Sequence, residues 1–272
     1  TFNGKDQITS LEGNTVEVST GPVAAFVPIK HLGTNGGGFF GTNGAHPFEN
    51  TNYITNFTEM VSQMLIPFAI VFAFGYFIKR RKLSLTIFAV MSIGFLSLMA
   101  MNVSFENAGN PAIQQMGAAI SLGNMEGKEI RIGSSASAYW SIATTVISTG
   151  SINSMHDSYM PLSGMNMLLA MMINSFYGGV GVGILNYLVF IILAVFISGL
   201  MVGRTPEVLG KKIEAKEMKI AMVIALLHPL LVLAGTALTA YQPHFGTTTL
   251  YNPSFHVFSD MLYEFTSASA NN

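Results

Sequence analysis

Two glycine-rich turns in this sequence have the composition of a site that binds a cation through its backbone. The first reads T-N-G-G-G at residues 34–38, and the second reads S-T-G at residues 148–150. Glycine allows the positive φ values that aim successive carbonyl groups into one space, and it keeps a Cβ atom out of that space. Carbonyl oxygens arranged in this way can replace the hydration shell of an ion. The turns therefore predict an ion site lined by backbone oxygens.

The residue types in these turns also indicate which ion they could bind. Thr, Ser and Asn supply further oxygens, and neither turn contains a carboxylate. Sites for Ca²⁺ or Mg²⁺ usually include acidic ligands, so the composition favours a weakly hydrated monovalent cation. We predict potassium, with sodium left open as an alternative on composition alone.

Other binding chemistry fits these residues poorly. G-G-G lacks the Lys-Ser/Thr of a phosphate-binding P-loop, and G-G-V-G-V-G at 178–183 lies within a long apolar run rather than after a strand. His46 with Glu49, and His156 with Asp157, lack the spacing of metal ligands, so we expect loop-capping or solvated groups there. We find no Ser-His-Asp set and no ATPase phosphorylation motif in the sequence.

The composition indicates that lipid is the main solvent of this chain. Half of its 272 residues are hydrophobic and only 10% are charged, against about 25% in a soluble domain. A net charge of -1 provides no broad basic surface for a nucleic acid. The absence of cysteine excludes disulfides and thiolate metal sites. The N-terminal stretch T-F-N-G-K-D-Q-I-T-S is not typical of a signal peptide, and we expect a segment of a longer chain.

Four segments could cross a bilayer as helices. Residues 60–78, 83–103 and 220–241 contain no Lys, Arg, Asp or Glu and reach the length of about 20 residues that a span requires. Residues 165–203 are also uncharged, but a continuous helix of that length would be about twice as long as a bilayer core is thick. The glycines of F-Y-G-G-V-G-V-G at 176–183 therefore predict a broken helix.

Basic residues indicate the orientation of these spans. Nine of the 13 Lys and Arg residues lie at 79–82 and 204–219, in two short connections that helix parity places on the same side. Positively charged connections are typical of the cytoplasmic side. The glycine turns then belong to the outer side.

Three stretches look too polar for lipid and too apolar for exposed loops. In residues 132–155, ten of the 24 residues are Ser or Thr. A short helix that enters a protein-lined space and turns back at the glycine satisfies both constraints. Similar patterns occur at 21–40 and 259–272, with two spans between successive copies, so we predict an internal repeat.

Several long motifs, in order along the chain, resemble the potassium-binding subunit family of the Kdp potassium-transporting ATPases, within the superfamily of potassium transporters. They are G-P-V-A-x-x-x-x-I-K-x-L-G-T-N-G-G-G-F-F, H-P-F-E-N, N-M-E-G-K-E-x-R, M-H-D-S, G-G-V-G-x-G and G-L-M-V-G-R-T-P-E-V-L-G-K-K-I-E. The resemblance implies an all-α integral membrane fold of repeated helix–pore helix–filter–helix units, with the broken helix in the third unit. It also implies that this chain is a middle section of such a subunit and does not transport alone.

The resemblance assigns potassium-filter roles to three sets of residues. The second unit supplies Thr34, Asn35, Gly36, Gly37 and Gly38, the third supplies Ser148, Thr149 and Gly150, and the fourth begins with Asn271 and Asn272. The family often has cysteine where this chain has Thr149; because the expected ligand is the backbone carbonyl, we expect function to survive. Phe-Glu-Asn-Pro is also common where this chain has F-E-N-T at 48–51.

The implied units cover residues 1–82, 83–217 and 218–272, with pore helices at about 22–33, 134–147 and 257–269 and filters at 34–38, 148–151 and 271–272. Below the filter, the resemblance implies a gating loop that contains Gly178, Gly179, Gly181 and Gly183. On the cytoplasmic side, Arg204, Lys211 and Lys212 would face the ATP-hydrolysing P-type subunit, although they also serve as a positive-inside anchor.

The resemblance implies a subunit of the bacterial inner membrane that selects potassium at an external filter for ATP-driven uptake. It would have no organic cofactor, and ATP would be used by the partner subunit. Its partners would be the P-type catalytic subunit, small accessory subunits and lipid. The alternative is a stand-alone potassium channel or symporter of the same superfamily, and the R-T-P-E-V-L-G-K-K motif favours the ATPase-linked family. A membrane scaffold would not need glycine turns at repeated pore positions.

Overall fold

The structure is a computed structural model that describes residues 5–10, 12–18, 21–117, 122–241, 256–270 and 272. Within these residues the chain is almost entirely helical. The helices are α1 (Gly21–Leu32), α2 (Tyr53–Phe77), α3 (Arg81–Ala108), α4 (Pro111–Gln115), α5 (Ser134–Ile147), α6 (Pro161–Ile173), α7 (Val182–Val202), α8 (Ala215–Tyr241) and α9 (His256–Ala270).

Two small antiparallel hairpins accompany the described helices. Strands β1 (Asp6–Thr9) and β2 (Thr15–Val18) precede α1. Strands β3 (Glu207–Val208) and β4 (Lys211–Lys212) lie between α7 and α8. Both hairpins are connections outside the long apolar helices.

Helices α2, α3, α7 and α8 are long and apolar enough to cross a membrane. The prediction of an all-helical membrane protein is therefore confirmed. Their ends differ from the predicted apolar segments, because polar residues continue the helices beyond the apolar runs. Helix α2 begins at Tyr53 rather than near residue 60, since the Asn52 side chain accepts hydrogen bonds from the amides of Ile54 and Thr55 and caps the helix.

Helices α2 and α3 approach each other closely through small residues. A Cβ atom on Gly75 would lie 2.1 Å from Cβ of Ser84, and the Ser84 hydroxyl donates to the carbonyl of Val71 at 2.7 Å. Small residues allow helix backbones to approach in membranes, and a serine can add a hydrogen bond between them. This contact fixes α3 against α2, and α3 in turn supports the central helix α5.

Helix α5 is the most enclosed helix in the described structure. All of its residues except Ser135 and Tyr139 are buried, and its neighbours are α2, α3 and α6. The side-chain amide of Asn102 on α3 donates to the carbonyl of Ala138 and to Ser141 Oγ, at 3.1 and 2.9 Å. Protein partners thus satisfy polar groups that lipid would leave unpaired.

The helix predicted to break within residues 165–203 does so. Helix α6 begins at Pro161, because proline is well tolerated in the first helical turn, and it ends at Ile173 with Asn174 at a φ of 43°. Helix α7 starts after Gly181, which has a φ of 95°. Residues 174–181 between the two helices form a non-helical segment that packs against the end of α5.

Candidate ion-binding site at three helix ends

The first predicted filter turn begins where α1 ends. The amide of Thr34 donates to the carbonyl of His31, and the amide of Gly36 reaches back to the carbonyl of Lys30, both at 3.2 Å. Thr34, Gly36 and Gly37 have φ values of 49°, 64° and 78°. The chain therefore leaves the helix through left-handed conformations, which glycine adopts without steric cost.

The second predicted turn closes α5 in a related way. Ser148 follows the helix with a φ of 58°, and Gly150 has a φ of 72°. Between them, the amide of Thr149 donates to the carbonyl of Thr144 at 2.9 Å. A hydrogen bond that reaches back past the last helical turn satisfies a carbonyl that would otherwise lack a partner.

The end of α9 repeats this closure. The amide of Asn272 donates to the carbonyl of Ser267 at 2.9 Å, and the Ser267 hydroxyl donates to the carbonyl oxygen of Asn272 at 2.9 Å. The predicted filter residue Asn271 lies outside the described residues. In all three turns an amide thus reaches back five or six residues into its own helix.

The three turns meet at their backbones. A Cβ atom on Gly36 would lie 2.0 Å from the carbonyl oxygen of Thr149, and one on Gly150 would lie 2.7 Å from the carbonyl carbon of Asn272. The amide of Gly150 donates to Oδ1 of Asn272 at 2.8 Å. The second turn therefore lies between the first and the third, and neither glycine has space for a side chain.

The other residues of the first turn have different surroundings. A Cβ atom on Gly37 would meet no atom of the described residues within 4 Å, whereas one on Gly38 would lie 2.5 Å from Cα of Asn43, in the following loop. Asn35 is exposed and Thr34 is buried. Gly36 is thus the residue of this turn whose backbone lies directly against the second turn.

The junction offers oxygen ligands and negative helix ends. The C-terminal ends of α1, α5 and α9 lead into it, and each helix end has a partial negative charge of up to about half an elementary charge. None of the described residues in turns 33–38, 148–151 and 272 is acidic. Oγ1 of Thr149 is buried and has no hydrogen-bond partner among the described residues. These features suit a monovalent cation held by neutral oxygens.

The predicted gating loop lies directly against the end of α5. The amide of Gly179 donates to the carbonyl of Ile147, and Oγ of Ser148 lies 3.5 Å from Oδ1 of Asn174. A Cβ atom on Gly183 would lie 2.6 Å from the carbonyl oxygen of Tyr177. The structure thus places the glycine-rich break next to the second turn, and the glycines allow it to fold tightly.

Tyr177 anchors this break to α3, a role that the sequence analysis missed. Its side chain is buried, and its hydroxyl lies 2.5 Å from Oγ of Ser92 and 3.3 Å from the carbonyl oxygen of Phe88. Its ring packs against Phe68 of α2, with centroids 4.2 Å apart. A tyrosine inside a glycine-rich run was the available signal, because an aromatic residue in a tight turn normally packs against a neighbouring element.

The predicted partner-facing residues lie on the β3–β4 hairpin and the residues before it. Arg204, Lys211 and Lys212 are exposed. Leu209 and Gly210 have φ values of 55° and 80°, as in the type I′ turns that join short antiparallel strands. Lys211 and Lys212 lie in the hairpin and Arg204 lies just before it, so all three cations are exposed at this connection between α7 and α8.

A buried ion pair supports the first turn. Nζ of Lys30 lies 2.6 Å from Oε2 of Glu49 and 2.8 Å from Oδ1 of Asn43, and the amide of Phe40 donates to Oε1 of Glu49 at 2.8 Å. Glu49 therefore does cap a loop, as expected, but its pairing with Lys30 was not predicted. His46 stacks on the ring of Phe40, with centroids 3.7 Å apart.

A second buried pair holds the connection that precedes α5. Nζ of Lys128 lies 2.9 Å from Oε2 of Glu106 and 4.0 Å from the ring centroid of Tyr159. Burial lowers the pKa of Lys128, although the adjacent Glu106 carboxylate acts in the opposite direction. The side-chain amide of Asn124 also donates to Glu106, at 2.9 Å. The motif N-M-E-G-K-E-x-R thus positions this connection.

Arg131, from the same motif, joins this connection to the loop that follows the first turn. Its guanidinium donates to the carbonyl oxygens of Ala45 and Asn50, at 2.6 and 2.9 Å. Arg131 also pairs with Glu129 at 2.9 Å. Arg131 therefore connects the two loops directly.

Histidines and acidic groups join the loop after the second turn to α9. His156 Nδ1 lies 2.6 Å from the hydroxyl of Tyr263, and burial lowers the pKa of His156 to about 4, with Lys128 adding to the effect. Nε2 of His256 lies 2.9 Å from Asp157 and 3.4 Å from Asp260. Burial, followed by the charge of Asp157, raises the pKa of Asp260. No local sequence pattern predicts this link.

Comparison with known proteins agrees with the resemblance. A sequence model described as the potassium-transporting ATPase A subunit family, KdpA, matches residues 1–272. The chain belongs to this family.

Relatives of the KdpA family match the whole chain. Proteins named potassium-transporting ATPase potassium-binding subunit are 62% identical in Flavobacterium psychrophilum, 58% in Phocaeicola vulgatus and 48% in Geobacillus kaustophilus. Each alignment covers 100% of this chain and 48% or 49% of the relative. The chain thus spans about half the length of these KdpA relatives.

Proposed function

We propose that this chain forms part of a potassium-binding subunit that selects potassium for an ATP-driven uptake complex. The relatives are named as the potassium-binding subunit of a potassium-transporting ATPase. The observation that supports the role most directly is the junction of Gly36, Thr149, Gly150 and Asn272 at three helix ends. Backbone oxygens at this junction, together with Asn271, would replace part of the hydration shell of the ion. Residues outside this chain would supply the rest.

The proposed roles follow the predicted repeat. The units at 1–82, 83–217 and 218–272 would each contribute one filter strand, and the break that contains Gly178, Gly179, Gly181 and Gly183 would gate the path below them. The complex would lie in the bacterial inner membrane, with the filter on the outer side. The loops at 79–82 and 204–219 would then lie in the cytoplasm.

The proposed partners are a P-type catalytic subunit and small accessory subunits, with ATP used by the catalytic subunit and no organic cofactor in this chain. The exposed Arg204, Lys211 and Lys212 next to and within the hairpin would face the catalytic subunit. The stand-alone channel or symporter is the weaker alternative, because the relatives are named as ATPase subunits.

The test compares two glycine variants in a full-length subunit assembled with its partners. Gly36→Ala places a Cβ atom 2.0 Å from the carbonyl oxygen of Thr149, whereas Gly37→Ala has the same kind of positive φ but no described atom within 4 Å of its Cβ position. We expect Gly36→Ala to weaken the apparent potassium affinity by about tenfold or more, equivalent to about 1.4 kcal/mol. Gly37→Ala should have a much smaller effect.

The readouts are potassium-stimulated ATP hydrolysis and potassium uptake at low external potassium. A Gly36→Ala complex with the wild-type apparent potassium affinity would contradict the assignment of Gly36 to the filter. Uptake by a full-length subunit without its catalytic partner would instead favour the channel alternative.

A further inference from the structure

Ser151, the residue that follows Gly150, is held by hydrogen bonds at its hydroxyl and at its carbonyl. Its side chain is fully buried. Its hydroxyl lies 3.0 Å from Nε2 of His31, at the end of α1, and its carbonyl accepts a hydrogen bond from the indole nitrogen of Trp140, in α5, at 2.8 Å. One residue of the second turn is therefore attached to two helices at once.

The contacts of His31 determine the direction of its hydrogen bond to Ser151. Nδ1 of His31 lies 2.8 Å from the carbonyl oxygen of Val27, which can only accept, so Nδ1 is protonated. Burial lowers the pKa of His31 to about 3, and the charge of Lys30 adds to this effect. The imidazole is thus neutral, and Nε2 accepts the hydrogen bond of the Ser151 hydroxyl. Oε2 of Glu59 lies near the same nitrogen, at 3.6 Å.

Trp140 and His31 also contact each other. Their rings meet edge to face, with centroids 5.5 Å apart and planes at 85°, and both side chains are buried. Such an arrangement is favourable for aromatic rings and restricts their rotation. His31, Trp140 and Ser151 therefore form one buried cluster behind the second turn, which we call the Ser151 clamp.

The clamp affects which oxygens can face an ion. The carbonyl of Ser151 points to Trp140, so the run of carbonyl ligands in the second turn ends at Gly150. His31 precedes the first turn, and Trp140 precedes the second turn within α5. The clamp thus fixes the Gly150 backbone relative to the end of α1. Ion discrimination depends on the positions and field strength of such carbonyl groups, and a displacement of about 0.5 Å is enough to impair a site.

We propose that His31 and Trp140 are positioning residues that set the discrimination between potassium and larger or smaller monovalent cations. The inference rests on the proposed function, because it requires that the helix-end junction binds the transported ion. Neither residue contacts the ion. Each acts through Ser151 on the adjacent Gly150 carbonyl.

The experiment uses a full-length subunit within its assembled complex and measures ATP hydrolysis stimulated by potassium and by rubidium. Trp140→Phe removes the indole N–H while it keeps an aromatic ring. His31→Leu removes the acceptor for Ser151, whereas His31→Gln can supply an acceptor oxygen near the position of Nε2. Tyr139→Phe is the matched control, because Tyr139 neighbours Trp140 on α5 but its hydroxyl contacts Met64 Sδ at 3.3 Å.

We expect Trp140→Phe and His31→Leu to change the ratio of the apparent affinities for potassium and rubidium at least threefold. His31→Gln should restore much of the wild-type ratio, and Tyr139→Phe should leave the ratio unchanged. If His31→Leu fails to assemble, Trp140→Phe still tests the clamp, because it removes the hydrogen bond to Ser151 and keeps an aromatic ring at this position.

The outcomes separate this inference from the function on which it rests. A wild-type complex that is not stimulated by potassium would overturn the proposed function itself. If the wild type is stimulated, but Trp140→Phe keeps the wild-type ratio in an assembled complex, the clamp does not position the filter. Loss of activity without any change of ratio would likewise indicate a purely structural role and would overturn the inference.

Discussion

Lys128 and Glu106 form an ion pair in which neither side chain is exposed to solvent. Removal of one partner from a buried pair leaves a charge without compensation, which costs about 3–5 kcal/mol. We therefore expect Lys128→Met to lower the thermal unfolding temperature of the purified protein strongly. The same change should also loosen the connection between α4 and α5, measured by limited proteolysis.

The exposed pair of Lys5 and Glu17 provides the control for this prediction. Its side chains are 63% and 54% exposed, and exposed pairs contribute about 0–1 kcal/mol. Lys5→Met should thus be nearly neutral. The double variant Lys128→Met with Glu106→Gln should regain part of the lost stability. Equal effects of Lys5→Met and Lys128→Met would show that burial does not determine the contribution of the second pair.

The residues of the candidate ion site could be proposed from the sequence, whereas the buried charges around it could not. The turns at 34–38 and 148–150 could be recognised because glycine next to hydroxyl and amide residues is a pattern of adjacent residues, and this pattern by itself indicates backbone oxygens that could bind an ion. Lys30 and Glu49, in contrast, are 19 positions apart, and no local pattern indicates that they pair. Trp140 and Ser151 meet only because α5 turns back at its end. Long-range pairing of this kind depends on the fold.

At the scale of elements, the break between α6 and α7 depends on glycine at a position with ordinary φ. A Cβ atom on Gly183 would lie 2.4 Å from the amide nitrogen of Gly178 and 2.6 Å from the carbonyl oxygen of Tyr177. We expect Gly183→Ala to destabilise the protein by about 1–3 kcal/mol, as overpacking does in other buried sites. It should also alter potassium transport in the full-length complex, because the break lies against Ile147.

Gly164→Ala is the matched control for this element. Gly164 lies in α6, and a Cβ atom there would meet no atom within 4 Å among the described residues outside the backbone of its own helix. Within a helix, alanine is more favourable than glycine by about 1 kcal/mol, so this variant should be neutral or stabilising. Thermal unfolding of both purified variants checks the difference. A Gly183→Ala protein as stable as Gly164→Ala would mean that the break has room that the structure does not show.

Apolar length predicted the existence of the spanning helices and of the break, but it did not predict where the helices end. Length and composition suffice for existence, because a bilayer demands about 20 apolar residues. The ends depend on caps and polar continuations, as at Asn52 and Pro161. Three predicted pore-helix segments, 22–33, 134–147 and 257–269, coincide closely with α1, α5 and α9. Their assignment to repeated pore units stays a prediction.

At the scale of the whole molecule, the absence of cysteine makes the orientation directly measurable. A single cysteine introduced at Glu12, Lys82 or Lys212 would be the only thiol of this sequence, and all three positions are exposed. With the proposed orientation, a membrane-impermeant thiol reagent added to intact cells should label Glu12→Cys. Lys82→Cys and Lys212→Cys should be labelled only after the cytoplasmic face is opened.

The unchanged sequence, which contains no thiol, is the control for background labelling. Positions 82 and 212 must share one pattern, because both basic connections are proposed to lie in the cytoplasm. Opposite patterns at these two positions would contradict an even number of membrane crossings between them. Labelling of position 12 together with position 82 from outside would contradict the proposed orientation.

The enclosure of α5 has a consequence for how the protein is made. Six of its 14 residues are Ser or Thr, so transfer of this helix alone into lipid would be unfavourable. Its hydrogen-bond partners, such as Asn102, lie on α3, and α6 is synthesised only afterwards. Helix α5 therefore becomes fully enclosed only when α6, which follows it in the chain, has packed against it. The candidate ion site would then be completed late in biogenesis. A misassembled subunit would therefore have its membrane-spanning helices but not the site.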